Sequence, residues 1–132
     1  MMDRQNYRTG NPYEARFGYS RAVRRGAHVF VSGTTSVDPA TGTLRHADSA
    51  GLQAQAAFAE IVAAVEALGG TRADVVRVRM YVRDDADTDA VGAALADALG
   101  DVAPAATMLV GMRFVDPRMK VEIEADAVLA EP

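Results

Sequence analysis

The clearest pattern in the chain is an alternation. Val76, Val78, Met80 and Val82 alternate with Arg77, Arg79, Tyr81 and Arg83. A period of two predicts a β-strand with one apolar and one polar face. The segment Val121–Ala127 repeats it, with Val121, Ile123, Ala125 and Ala127 set against Glu122, Glu124 and Asp126. Elsewhere the spacing turns helical. Over Gly51–Leu68, the residues Phe58, Ile61, Val62, Val65 and Leu68 make one apolar stripe, with Ser49 or Asp48 placed to cap the start. Gly69 and Gly70 stop this helix. A second helix is predicted over Thr88–Leu99, with Asp87 as its cap, Val91, Ala94, Leu95 and Ala98 inward, and Gly100 at its close.

Shorter strands are predicted at Tyr19–Val23 and His28–Ser32, joined through a glycine-containing turn, and at Thr107–Met112. Asp38–Gly42 reads as a turn, with Pro39 fixing φ and Gly42 free to take positive φ. Residues 1–16 are polar, with Gly10, Asn11 and Pro12, and read as a loosely held arm, either a free tail or a segment packed on a neighbouring subunit. The order is hairpin, helix, strand, helix, strand, strand. It predicts a single α+β domain over residues 1–132.

Two helices cover only one face of such a sheet. The other face carries Arg77, Arg79 and Arg83 on one strand and Glu122, Glu124 and Asp126 on another. If those strands are neighbours, each cross-strand pair contributes about 0.2–1 kcal/mol. Either this face is solvated or a second copy of the chain packs against part of it.

Composition narrows the function classes. Apolar residues make up 49% of the chain and charged residues 24%, so a core can form without staples. The absence of cysteine removes thiol nucleophiles, thiolate metal sites and disulfides, and fits a reducing compartment. A net charge of −4 argues against nucleic acid as a partner. The opening segment lacks the apolar core of a signal peptide and no apolar run has membrane-spanning length, so the expected location is cytoplasmic with no membrane partner.

His28 and His46 lack spacing partners for a metal or a triad, and Gly69-Gly70 does not fit a phosphate loop. No cofactor and no metal are expected. Three features remain. Val31-Ser32-Gly33-Thr34-Thr35 ends a strand in hydroxyls and a glycine, and Pro104-Ala105-Ala106-Thr107 enters a strand. Glu122 is either a general base towards water or a partner of Arg79.

In combination these segments resemble the RidA family, also called YjgF/YER057c/UK114. The resemblance rests on Tyr19-Ser20-Arg21-Ala22-Val23, Val29-Phe30-Val31-Ser32-Gly33, Asp38-Pro39, Gln55 and the helix to Leu68-Gly69. It continues through Asp74-Val75-Val76, Tyr81-Val82, Pro104-Ala105 and Val121-Glu122-Ile123-Glu124-Ala125. It implies a chorismate-mutase-like mixed six-stranded sheet with two helices on one face. It also implies a homotrimer with a central barrel and small-molecule clefts between subunits. Typical members hydrolyse reactive imines and enamines to a keto acid and ammonia. By resemblance, Tyr19 lines the cleft, Ser32 and Gly33 flank it, and Glu122 positions or activates water.

One departure stands out. The family's deaminases carry a carboxylate-gripping arginine two residues after the proline, and here that position is Ala106, followed by Thr107, which keeps a hydroxyl and a backbone N–H. The place of a usual asparagine is Gly92, and Arg79 or Arg113 are candidate replacements for the lost cation. Met108, Met112 and Phe17 suggest an apolar lining. The expectation is therefore a RidA-like hydrolase acting on an imine, enamine or related electrophile other than the usual 2-imino acids. The alternatives are a non-catalytic small-molecule-binding trimer and, last, an endoribonuclease.

Overall fold

A computed structural model of the chain describes residues 3–130. The strands are β1 (Arg4–Tyr7), β2 (Ala22–Arg25), β3 (His28–Thr34), β4 (Val75–Val82), β5 (Ala105–Val110) and β6 (Val121–Val128). The helices are α1 (Pro12–Phe17), α2 (Ala50–Ala67) and α3 (Thr88–Leu99). The strands form one mixed sheet in the order β1-β2-β3-β6-β4-β5, in which β4 and β5 are parallel and joined through α3.

The two alternating segments are adjacent, antiparallel, central strands. Val78, Met80 and Val82 of β4 and Val121, Ile123, Ala125 and Ala127 of β6 are buried in one cluster. Phe58, Ile61 and Val65 of α2 and Val91, Ala94 and Leu99 of α3 belong to the same cluster. Burying these seven apolar side chains against two helices supplies the main folding drive. Ser49 caps α2, its hydroxyl accepting from Leu52 N–H at 3.1 Å. Asp87 precedes α3 without a side-chain cap.

The structure departs from the sequence reading in three places. The arm expected over residues 1–16 is structured from Arg4 on. Arg4–Tyr7 pairs with Ala22–Arg25, and Pro12–Phe17 is a helical turn capped by Asn11. Backbone pairing to β2 holds β1 at the edge of the sheet although its side chains show no apolar alternation. Second, Val76 does not face the helices. A bulge between Val75 and Arg77 buries Val75 and leaves Val76 45% exposed. Third, the strand expected to begin at Tyr19 begins at Ala22, and the strand expected over Thr107–Met112 lies at Ala105–Val110.

On the polar face, Arg79 lies opposite Glu124, with its Nη1 3.8 Å from Glu124 Oε1 and 3.4 Å from Asp126 Oδ2. Tyr81 donates to Glu124. Arg77 forms no ion pair among the described residues, and Arg83 turns to Asp84 and the Pro117 carbonyl. The three-to-three charge match is thus one arginine shared by two carboxylates. Glu122 is left out of it.

A buried glutamine ties α2 to the entry of β6. Gln53 Nε2 donates to the carbonyls of His46 and Arg118 at 3.0 Å each, and its Oε1 accepts from Lys120 N–H at 2.8 Å. Gln53→Ala would strand three backbone groups, among them the Lys120 N–H two residues before Glu122. The expected cost is about 2 kcal/mol, read as a lower urea midpoint; an unchanged midpoint would contradict this role.

Candidate functional site

The side chains of β6 alternate, so Glu122 points away from the helices. It sits beside Gly33 on β3. A Cβ at Gly33 would overlap the Glu122 carboxylate, so the missing side chain makes the space the carboxylate occupies. Around the pair lies a cleft of about 110 Å³, lined by residues that include Tyr19, Arg21, Thr35 and Met119.

The local structure of α1 positions Tyr19. Asn11 Oδ1 accepts from Tyr13 N–H at 2.9 Å, and Pro12 opens the helix with φ already suited to it. The buried Glu14 carboxylate accepts from Thr9 N–H at 3.0 Å and from the Thr9 hydroxyl at 2.7 Å. Gly18 closes the turn at φ +78°, where a side chain would strain the backbone. The Gly18 and Tyr19 N–H groups both donate to the Glu14 carbonyl, at 2.9 and 3.0 Å. The same helix presents Tyr13 and Phe17 to the cleft as a stacked pair, with ring centroids 6.2 Å apart.

Arg21 forms the floor. It is 5% exposed, its Nη2 donates to the Gly33 carbonyl, and its guanidinium lies 5.7 Å from the centre of the Tyr19 ring. Its Nε is buried and has no hydrogen-bond partner. Burial raises the Glu122 carboxyl above its usual range; Arg21 opposes the rise and the neighbouring Glu124 adds to it. Burial likewise raises the Tyr19 phenol, again with Arg21 opposing and with Glu14 and Glu122 adding to the rise. Tyr19 therefore keeps its phenolic proton at neutral pH and can donate a hydrogen bond, and Glu122 is a carboxylate that takes up a proton more readily than an exposed one.

Of the six site residues read from the sequence, Tyr19, Gly33 and Glu122 come together here. Ser32 does not line the cleft: its hydroxyl donates to the Ser20 carbonyl at 2.8 Å and helps hold the segment before β2 to β3. Ala106 and Thr107 lie on β5, opposite Val78 and Arg79, on an exposed edge strand separated from β6 by β4. Within one chain they do not reach Glu122. Arg79 is held by Glu124 and Asp126, Arg113 is exposed, and Gly92 sits on α3 with open space beside it. None of the three lines the cleft. Among the expected apolar lining residues, Phe17 does, whereas Met108 packs on the core. Sequence reasoning missed Arg21 as a cleft residue. The available signal was its position two residues after Tyr19, which in extended chain puts both on one side.

The cleft brings together a carboxylate, a phenol, a guanidinium and apolar side chains. The model of a family described as endoribonuclease L-PSP matches residues 9–129. The chain belongs to this family, the RidA/YjgF group. A Mycobacterium tuberculosis protein, Rv2704, described as a member of the YjgF/YER057c/UK114 family, superimposes with a TM-score of 0.85 at 37% identity, over 96% of this chain and 99% of that one. The uncharacterized protein SCO2049 of Streptomyces coelicolor is 34% identical over 120 residues, 90% of this chain and 87% of that one. A 2-iminobutanoate/2-iminopropanoate deaminase of Dermatophagoides farinae is 31% identical over 116 residues, 84% of this chain and 85% of that one. The expected RidA-like fold, a mixed six-stranded sheet with helices, is therefore the fold of the chain. No helix among the described residues is long and apolar enough to cross a membrane.

Proposed function

We propose that the chain hydrolyses a small reactive imine or its enamine tautomer to a carbonyl compound and ammonia, with Glu122 as the base. The observation that carries this is the Glu122 carboxylate, partly buried against Gly33 and held at a raised proton affinity. The imine reacts as its protonated form, and Glu122 takes a proton from a water molecule as the oxygen adds to the imine carbon. The carbinolamine that forms has one new C–O bond and a neutral amine nitrogen. Glu122 returns its proton to that nitrogen; as the C–N bond breaks and ammonia leaves, Glu122 takes the hydroxyl proton, the C=O bond forms, and this proton passes to solvent. A carboxyl group serves both steps best when its pKa is moved towards the working pH.

The cleft needs a second wall. In this reading three copies associate with their sheets inward, and β5 of one copy, with Ala106 and Thr107, completes the cleft of the next. The exposed Leu109 and Val110 of β5 and Phe30 of β3 supply apolar surface for such contacts. Light scattering at micromolar concentration should give three times the chain mass; a monomer would contradict the shared cleft.

A non-catalytic ligand-binding trimer is the second reading, favoured by Ala106 standing where the family's deaminases have an arginine. RNA cleavage, which the family's description names, is poorly served. Arg21 is the single basic residue lining a cleft of about 110 Å³, and the chain carries a net charge of −4. Ammonia release from imines generated in the assay, across substrates with and without a carboxylate, separates the readings. Acceleration on any of them supports the hydrolase. Ligand binding without acceleration on all of them supports the binding protein.

A further inference from the structure

The cleft contains a buried cation that the Glu122 chemistry does not use. Arg21 is 5% exposed and forms no ion pair among the described residues. One of its five N–H donors goes to the Gly33 carbonyl, and its Nε has no partner. A guanidinium withdrawn from water without a carboxylate partner is costly, and its planar fork matches a carboxylate with two parallel hydrogen bonds. The Tyr19 hydroxyl group belongs to the same cleft and adds a second kind of donor. The cleft also has apolar lining. Phe17 is 60% exposed and Val115 75% exposed, and both line it together with Tyr13 and Met119.

We infer that Arg21 is the anion-binding residue of this cleft, and that the ligand is a small carboxylate whose short apolar body rests on Phe17 and Val115. The role that Ala106 cannot fill from β5 is thereby filled from the segment before β2, on the Glu122 side of the cleft. The ligand carboxylate on Arg21 is separated from Glu122 by the cation, which offsets the repulsion between the two acids. This inference deepens the hydrolase reading and rests on it for the choice of cleft, but its test needs no turnover.

The experiment is a calorimetric titration of the assembled protein with 3-methylbutanoate and with its neutral isostere, 3-methylbutanamide. The wild type should bind the carboxylate at least about tenfold more tightly than the amide, the size of one charge-assisted hydrogen bond. Arg21→Gln should lose that preference and keep its affinity for the amide, and Arg21→Lys should keep part of it. Equal affinities in the wild type, or no binding of either probe, would overturn the inference. So would an intact preference in Arg21→Gln; Arg21 would then be a counter-charge for Glu122. Arg21 is buried, so the glutamine variant has a second arm that needs no substitution. The 15N–1H signal of Arg21 Nε should shift with the carboxylate and not with the amide, and an unmoved signal overturns the assignment. Carboxylate preference without any hydrolysis would remove the hydrolase reading and leave Arg21 in place.

Discussion

Glu122→Gln should lower imine hydrolysis about 10²- to 10⁴-fold and at the same time make the chain more stable at neutral pH. The first effect is the usual worth of a positioned general base. The second follows from the direction of the Glu122 shift. Burial, its main cause, raises the carboxyl in the folded chain above the ordinary value of 4.5. The folded state thus binds the proton more tightly than the unfolded state. That contribution to stability is fully present below about pH 4.5 and is lost as pH rises through the raised folded value. At pH 7 the wild type holds a partly desolvated charge that glutamine does not have. The urea midpoint of Glu122→Gln should exceed that of the wild type at pH 7, and the gap should shrink towards pH 4. A variant that is less stable at pH 7 would show that the carboxylate is held by contacts rather than strained by burial. The acid limb of kcat/KM in the wild type should likewise lie above pH 4.5.

Gly33→Ala should cost about a hundredfold in turnover with little change in stability. The added methyl group would overlap the Glu122 carboxylate, the free end of a flexible side chain, and not the backbone of a neighbour. The carboxylate swings aside and the sheet stays as it is. Gly33 is not among the residues with left-handed backbone, so alanine brings no φ strain. A displacement of about 1 Å at a reacting group is enough for a loss of this size. Steady-state rates paired with thermal melts check it. Full activity would mean that Gly33 does not set the position of the base. A large fall in melting temperature would mean that it supports the fold instead.

These two residues also show what was legible in the sequence. The alternation that exposes Glu122 on β6 is visible in seven residues, because a half-buried strand must repeat every two positions. The boundaries of α3 were equally visible, since Gly100 ends a short apolar stripe. Other features left weaker marks. Strand β1 is four exposed or half-exposed residues whose order comes from pairing with β2, so nothing in its own pattern announces it. Helix α1 is too short for a period to show, although Asn11-Pro12 is a helix start and Gly18 a helix stop. The bulge that turns Val76 outward follows from the pairing of β4 with β6, not from β4 alone. Arg21 looked like one more strand arginine. Only packing under Tyr19, against the Gly33 carbonyl, distinguishes it from Arg24 and Arg25. The separation of Ala106 and Thr107 from Glu122 is a matter of strand order, which one chain's pattern does not reveal.

A base at Glu122 as the driver of hydrolysis is decided by the initial rate of ammonia release from one imine generated in the assay, measured for the wild type, for Glu122→Gln and without protein. The wild type should accelerate release, and Glu122→Gln should run near the protein-free rate. Equal acceleration by both proteins would rule Glu122 out as the base.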